Sequence, residues 1–140
     1  MTTLFHKVAV HAQQTAVFDA LTTSEGLKAW YAADIQGNLG KGGEFTVSSS
    51  EHESFTWKVV ELISDTSIQW RCLLGPKEAI GTVVTFKLSE TGEGKTSVEC
   101  EHSGHPISGK ALESCNTFWG ILLGHLKSYV ETSNAAPALV

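Results

Sequence analysis

The stretch from Ser108 to Glu131 constrains this chain more than any other. Leu112, Cys115, Trp119, Leu122, Leu126 and Tyr129 recur every three or four residues, the spacing that lines side chains along one side of an α-helix. Ser108 stands where an N-cap belongs, its hydroxyl able to accept from the first free amides. No proline interrupts the run before Pro137. At 1.5 Å per residue the helix is roughly 35 Å long, the width of a small domain. With a tryptophan on its apolar side, it needs a broad apolar surface to lie against.

The preceding residues read as that surface. Leu4, His6, Val8 and Val10 alternate as a first strand. Thr15–Leu21 reads as a short helix. Thr22 and Glu25 have the spacing of a capping box for a second one, carrying Leu27, Trp30 and Tyr31 inward. From Ala33 to Gly104 the pattern is strand after strand. Phe45 and Val47 share a face, as do Phe55, Trp57 and Val59, then Ile68, Trp70, Cys72 and Leu74. Val84, Phe86 and Leu88 follow, then Thr96, Val98, Cys100 and His102. Gly-rich and Ser/Asp-rich turns separate them. The expected class is α+β: an antiparallel sheet, apolar on one face, curled around the long helix, with two short helices plugging one end. Residues 1–132 form one domain, and 133–140 read as a flexible tail.

Charge and composition narrow the function. The net charge of −5 is dispersed and no basic cluster exists to neutralise phosphates, which argues against nucleic acid as a partner. No apolar run approaches the length of a membrane span, and the first residues lack the pattern of a signal peptide, so a cytoplasmic protein is expected. Cys72, Cys100 and Cys115 each fall in an apolar-periodic segment and read as reduced thiols. Cys100-x-His102-x-x-His105 has residue types that bind zinc, but no fourth ligand is evident, and neither a metal nor a cofactor is expected. Gly37–Gly43 lacks P-loop spacing and leads into a strand. No nucleophile-and-base set is evident. Glu99 and Glu101 alternate away from the apolar face and read as solvated.

The chain resembles the START-like (SRPBCC) domains in an ordered series of short matches. These are Val17-Phe-Asp-Ala-Leu-Thr22, Leu27-x-x-Trp30-Tyr31, Gly42-Gly-Glu-Phe45, Trp57-Lys-Val-Val-Glu-Leu62, Ile68-x-Trp70, Val98-x-Cys100-x-His102-x-Gly104 and Phe118-Trp119-x-x-x-Leu123-x-x-Leu126. More narrowly it is similar to the family related to the C-terminal domain of the activator of the heat shock protein 90 ATPase. Trp30-Tyr31 replaces a frequent Trp-Trp pair of that family, and Phe118-Trp119 a frequent Gly-Trp. The resemblance implies a helix-grip fold, a curved seven-stranded antiparallel sheet around the C-terminal helix. It also implies a small hydrophobic or aromatic ligand held between sheet and helix.

The expected lining is Trp57, Trp70, Cys72, Phe86, His102, Trp119, Leu122 and Leu126, with Trp30 and Tyr31 at one end. His102, inward by alternation, would be the polar anchor. A second reading is a protein-interaction or co-chaperone-like module, with a chaperone or a second copy as partner. A third is an enzyme of the cyclase or hydrolase kind using His102. Gly120 and Gly124 form a smooth strip on the helix, read either as close packing against a strand or as the approach of a second subunit.

Overall fold

The computed structural model describes the backbone of residues 2–105 and 110–140, and side chains over 3–104 and 113–140. Ser108, the expected N-cap, lies outside the described residues, as do the side chains of His105 and Leu112. The chain runs β1 (Thr2–Val10), α1 (Gln14–Thr22), α2 (Ser24–Trp30), β2 (Asp34–Gly37), β3 (Glu44–Ser48), β4 (Phe55–Ile63), β5 (Ser67–Leu74), β6 (Val83–Gly92), β7 (Lys95–His105) and α3 (Lys110–Thr132). All seven strands pair antiparallel in the order β1-β7-β6-β5-β4-β3-β2, so the first strand closes onto the last.

Period-two alternation decides which strand residues face inward. Phe45, Trp57, Trp70, Phe86, Val98 and Cys100 are buried, while Glu44, Lys58, Arg71, Lys87 and Glu99 point out. Glu101 lies on the same outer face, 3.6 Å from Lys87. The alternation slips at a bulge between Val59 and Glu61 in β4. Leu74 does not keep the inward face expected of it and is 62% exposed: a second bulge puts Cys72 opposite Trp57 but Leu74 opposite Thr56, which turns Leu74 outward.

The inward faces and α3 share one core, to which α3 contributes Trp119, Leu122, Leu123 and Leu126. Polar contacts fix α3 on the edge strand: Lys127 donates to the Ala9 carbonyl (2.6 Å), and Glu131 accepts from the His11 amide (2.7 Å). Nearer the start of α3, His6 Nε2 donates to the Asn116 carbonyl (3.0 Å).

The two short helices occupy one end of the sheet, as expected, but the cap is displaced by one residue. Helix α1 continues through Thr22, whose hydroxyl is spent on the Phe18 carbonyl. The chain turns extended at Thr23, and it is the Thr23 hydroxyl that accepts from Gly26 N (3.0 Å). Strand β2, not resolved by alternation because it is only four residues long, pairs with β3.

The segment after α3 lies back along the α2–β2 connection. Ala136 N donates to Ala29 O, Ala138 N to Trp30 O and Leu139 N to Tyr31 O, while Ala33 N donates to Leu139 O. Leu139 is buried and joins the core. These backbone bonds, with the Leu139 side chain, seat the segment on the α2–β2 connection.

Candidate functional site

The structure brings the ten expected lining residues together. Trp30, Tyr31, Trp57, Trp70, Cys72, Phe86, His102, Trp119, Leu122 and Leu126 are all buried at 2% exposure or less. Their rings are in contact with one another. Tyr31 stacks between Trp30 (5.4 Å between centroids) and Trp70 (6.5 Å). Trp119 meets Tyr31, Trp57, Phe86 and His102 edge-on at 5.5–6.3 Å. These are the distances of aromatic rings in contact. The four indoles and their neighbours form one aromatic cluster in the core.

Indole and phenol polar atoms are satisfied inside this cluster. Trp30 Nε1 donates to the Ala20 carbonyl (2.8 Å), and Trp57 Nε1 to Tyr31 Oη (3.3 Å). Burial pushes the Tyr31 phenol well above its usual range, so it is neutral.

His102 packs between Trp57 and Trp119. Its Nε2 lies 2.9 Å from the hydroxyl of buried Thr82. That hydroxyl has one hydrogen, and it points to the Ala79 carbonyl at 2.6 Å. His102 Nε2 therefore carries the proton and donates it to Thr82. The imidazole so held ties β7 to the β5–β6 connection.

The thiols are equally settled. Burial raises Cys72 to about 11 and Cys100 to about 12, so both are protonated at neutral pH and poor nucleophiles. Cys115 is raised too, by burial and then by Glu78. Among the described residues no cluster of three metal-binding side chains occurs.

The apolar opening lies one layer further out. Phe55, Pro76, Cys115, Phe118 and Leu139 line a groove of about 320 Å³, with His52, Glu53 and Ser114 also on its walls. A near-parallel stack leads into it from the interior: Trp57 on Phe55 (5.9 Å, 9°), then Phe55 on Phe118 (6.5 Å, 14°). The stack depends on Gly75, where a Cβ would stand 3.0 Å from the Phe55 ring. Phe55 and Phe118 belonged to the aromatic residues noted in the sequence. Cys115 lies on the apolar side of α3, but Pro76, Leu139 and His52 carried no periodic signal. Leu139 could have been flagged as an apolar residue just after Pro137.

Further clefts flank α3, and two of them reach neighbouring segments. One, of about 450 Å³, lies between α1, α2 and the end of α3, with Asp19, Glu25 and Tyr129 on its walls. The other, about 380 Å³, lies between Ile121, Gly124, His125 and Ser128 of α3 and Asn134 and Ala136 of the following segment. The glycine strip is not packed on a strand: a Cβ at Gly120 or Gly124 would meet nothing within 4 Å.

Comparison with solved structures agrees with this architecture. The Aha1 dimer from Colwellia psychrerythraea is 31% identical over 94% of this chain and 98% of its own, with a TM-score of 0.84. Protein MLL2253 from Mesorhizobium loti is 18% identical (95% and 99% covered, TM-score 0.83), and CalU16 from Micromonospora echinospora 20% identical (91% and 73%, TM-score 0.76). Those last two likenesses show the fold alone. No curated protein matches the sequence. No helix among the described residues is long and apolar enough to cross a membrane. Residues 11–131 match the family model described as activator of Hsp90 ATPase homolog 1-like protein, and the chain is a member of that START-like family.

Proposed function

We propose that the domain binds a small, neutral, apolar molecule in the groove beside the first turns of α3. The observation that carries this reading is the groove itself: apolar-walled, within the volume range of small-ligand sites, and backed by the Trp57–Phe55–Phe118 stack. A flat or alkyl body would lie against Phe118 and Phe55, with Ser114 and His52 as the polar groups that orient it. Glu53 on the wall and the chain's net charge of −5 disfavour an anionic head group.

The test is a fluorescence titration with N-phenyl-1-naphthylamine. Saturable binding is expected, with Phe118→Ala weakening it about tenfold through lost stacking. Ile63→Ala, an exposed change at the end of β4, should leave it unaltered. Binding that ignores Phe118→Ala would place the probe elsewhere and end this reading.

A second reading, self-association through α3, is favoured by the open glycines. Each glycine inside a helix costs about 0.8–1 kcal/mol relative to alanine, and no contact among the described residues explains either one. Between them Ile121 is 52% exposed. The Colwellia psychrerythraea relative was solved as a dimer. Sedimentation equilibrium should show a dimer that Gly124→Leu converts to monomer, while circular dichroism stays unchanged. A wild-type chain that is monomeric up to its solubility limit refutes this assignment.

A further inference from the structure

The segment that follows α3 is attached in an unusual way. Ser133, in a left-handed conformation (φ 61°), turns the chain back, and its amide closes α3 on the Tyr129 carbonyl. Residues 134–140 then run along the α2–β2 connection, forming a parallel bridge between Ala32 and Leu139. The backbone bonds already described to Ala29, Trp30, Tyr31 and Ala33 are joined at the far end by Ser50, whose amide and hydroxyl both donate to Val140 O (3.3 and 3.1 Å). His125 Nδ1 donates to the Ala136 carbonyl (2.7 Å).

Side-chain attachment, by contrast, is nearly absent. Asn134, Ala135, Ala136 and Val140 are exposed, and Pro137 and Ala138 half-buried. Leu139 alone is fully buried. No charged residue lies in the segment. Beneath it Trp30, Tyr31 and Ala32 are wholly shielded, and Leu139 itself forms part of the groove wall. Seven residues ordered by backbone bonds and one side chain make a unit of low local stability, the kind that opens without the rest of the fold.

We propose that residues 134–140 are a displaceable strap, and that Leu139 occupies part of the ligand's place in the groove. This rests on the binding reading above and adds regulation to the same site. A ligand that enters fully pushes Leu139 out, lengthening the groove toward Tyr31 and Trp30. The carbonyls of Ala29, Trp30 and Tyr31 and the Ala33 amide, released from the strap, become available to polar groups of the ligand or to water. Strap and ligand then compete, so anything that holds the strap down lowers affinity.

Hydrogen exchange on the full chain, with and without N-phenyl-1-naphthylamine, tests this together with titration of Leu139→Ser and Leu139→Met. Without probe, the amides of Ala136, Ala138 and Leu139 should exchange at least about a hundredfold faster than that of Cys72, which is bonded within the sheet to Thr82 O. Bound probe should speed them further. Leu139→Ser should bind about tenfold tighter and Leu139→Met close to wild type, with sheet exchange unchanged in both.

Normal probe binding with strap amides as slow as the sheet, or slowed further by the probe, overturns the strap while leaving the binding reading intact. So does a loss of affinity in Leu139→Ser. A probe that binds neither wild type nor Leu139→Ser overturns the binding reading and the competition with it, whatever the exchange rates.

Discussion

Replacing Trp119 by alanine is expected to lower the free energy of unfolding by about 3–5 kcal/mol. Trp119 is the side chain through which α3 touches the sheet's aromatic interior, with ring contacts to Tyr31, Trp57, Phe86, His102 and Phe118. Removing it takes away its own buried surface and leaves a void ringed by stiff aromatics that cannot collapse inward. Small domains hold only about 5–15 kcal/mol in total, so the variant should lie near the edge of folding at 37 °C. Urea denaturation followed by circular dichroism measures the loss. Trp119→Phe, which keeps a ring in the cluster, should recover more than half of it. A loss below 1 kcal/mol for alanine would mean that the surrounding rings are free to repack.

Gly26→Ala should be the next most damaging, against the usual preference of helices for alanine. A Cβ there would stand 2.7 Å from both Cα and O of Ala20, backbone atoms of the neighbouring α1. The two helices must part to admit it. The same Ala20 carbonyl accepts the Trp30 indole N–H, so separation also strains a buried hydrogen bond. Overpacking and a weakened buried bond together predict about 2–5 kcal/mol, against the roughly 0.8–1 kcal/mol that alanine ordinarily adds in a helix. Thermal unfolding of the variant reads this directly. An unchanged midpoint would show that α1 and α2 slide freely past one another.

Most of the fold was legible because burial here follows period. Strands β3 to β7 announce themselves by alternation, and α3 by its three-and-four spacing, since each has one wet and one dry face. Where a second influence competes with period, legibility fails. Thr22 looks like a cap, yet α1 claims it for its own last turn. Leu74 matches Cys72 in phase, yet a bulge between their pairings with Trp57 and Thr56 turns it outward. Strand β2 is too short to show a period at all.

Which residues turn inward was legible in the sequence; how their rings meet was not. Inward alternation placed His102 and the tryptophans together, but whether rings meet or leave a gap depends on volumes and tilts that no linear pattern carries. Leu139 shows the limit most plainly. Its segment is small, uncharged and follows a proline, which reads as loose chain. Its order comes from backbone groups of residues 29–33, and those have no side-chain signature.

The pairing of β1 with β7, from Val10 opposite Thr96 to Thr2 opposite His105, sets the order in which the molecule can be made. Strand β1 emerges from the ribosome well before its partner β7. Its partner follows only after the rest of the sheet, roughly 5–20 s later at ordinary rates of synthesis. Strands β3 to β6 can close as successive hairpins meanwhile, but the ring of contacts through His6, Lys127 and Glu131 has to wait for α3. Joining the ends of so long a loop is the slow, entropically costly step for sheets of this kind. Until it happens, one side of β7 stays an open edge, ready to pair with whatever strand arrives first.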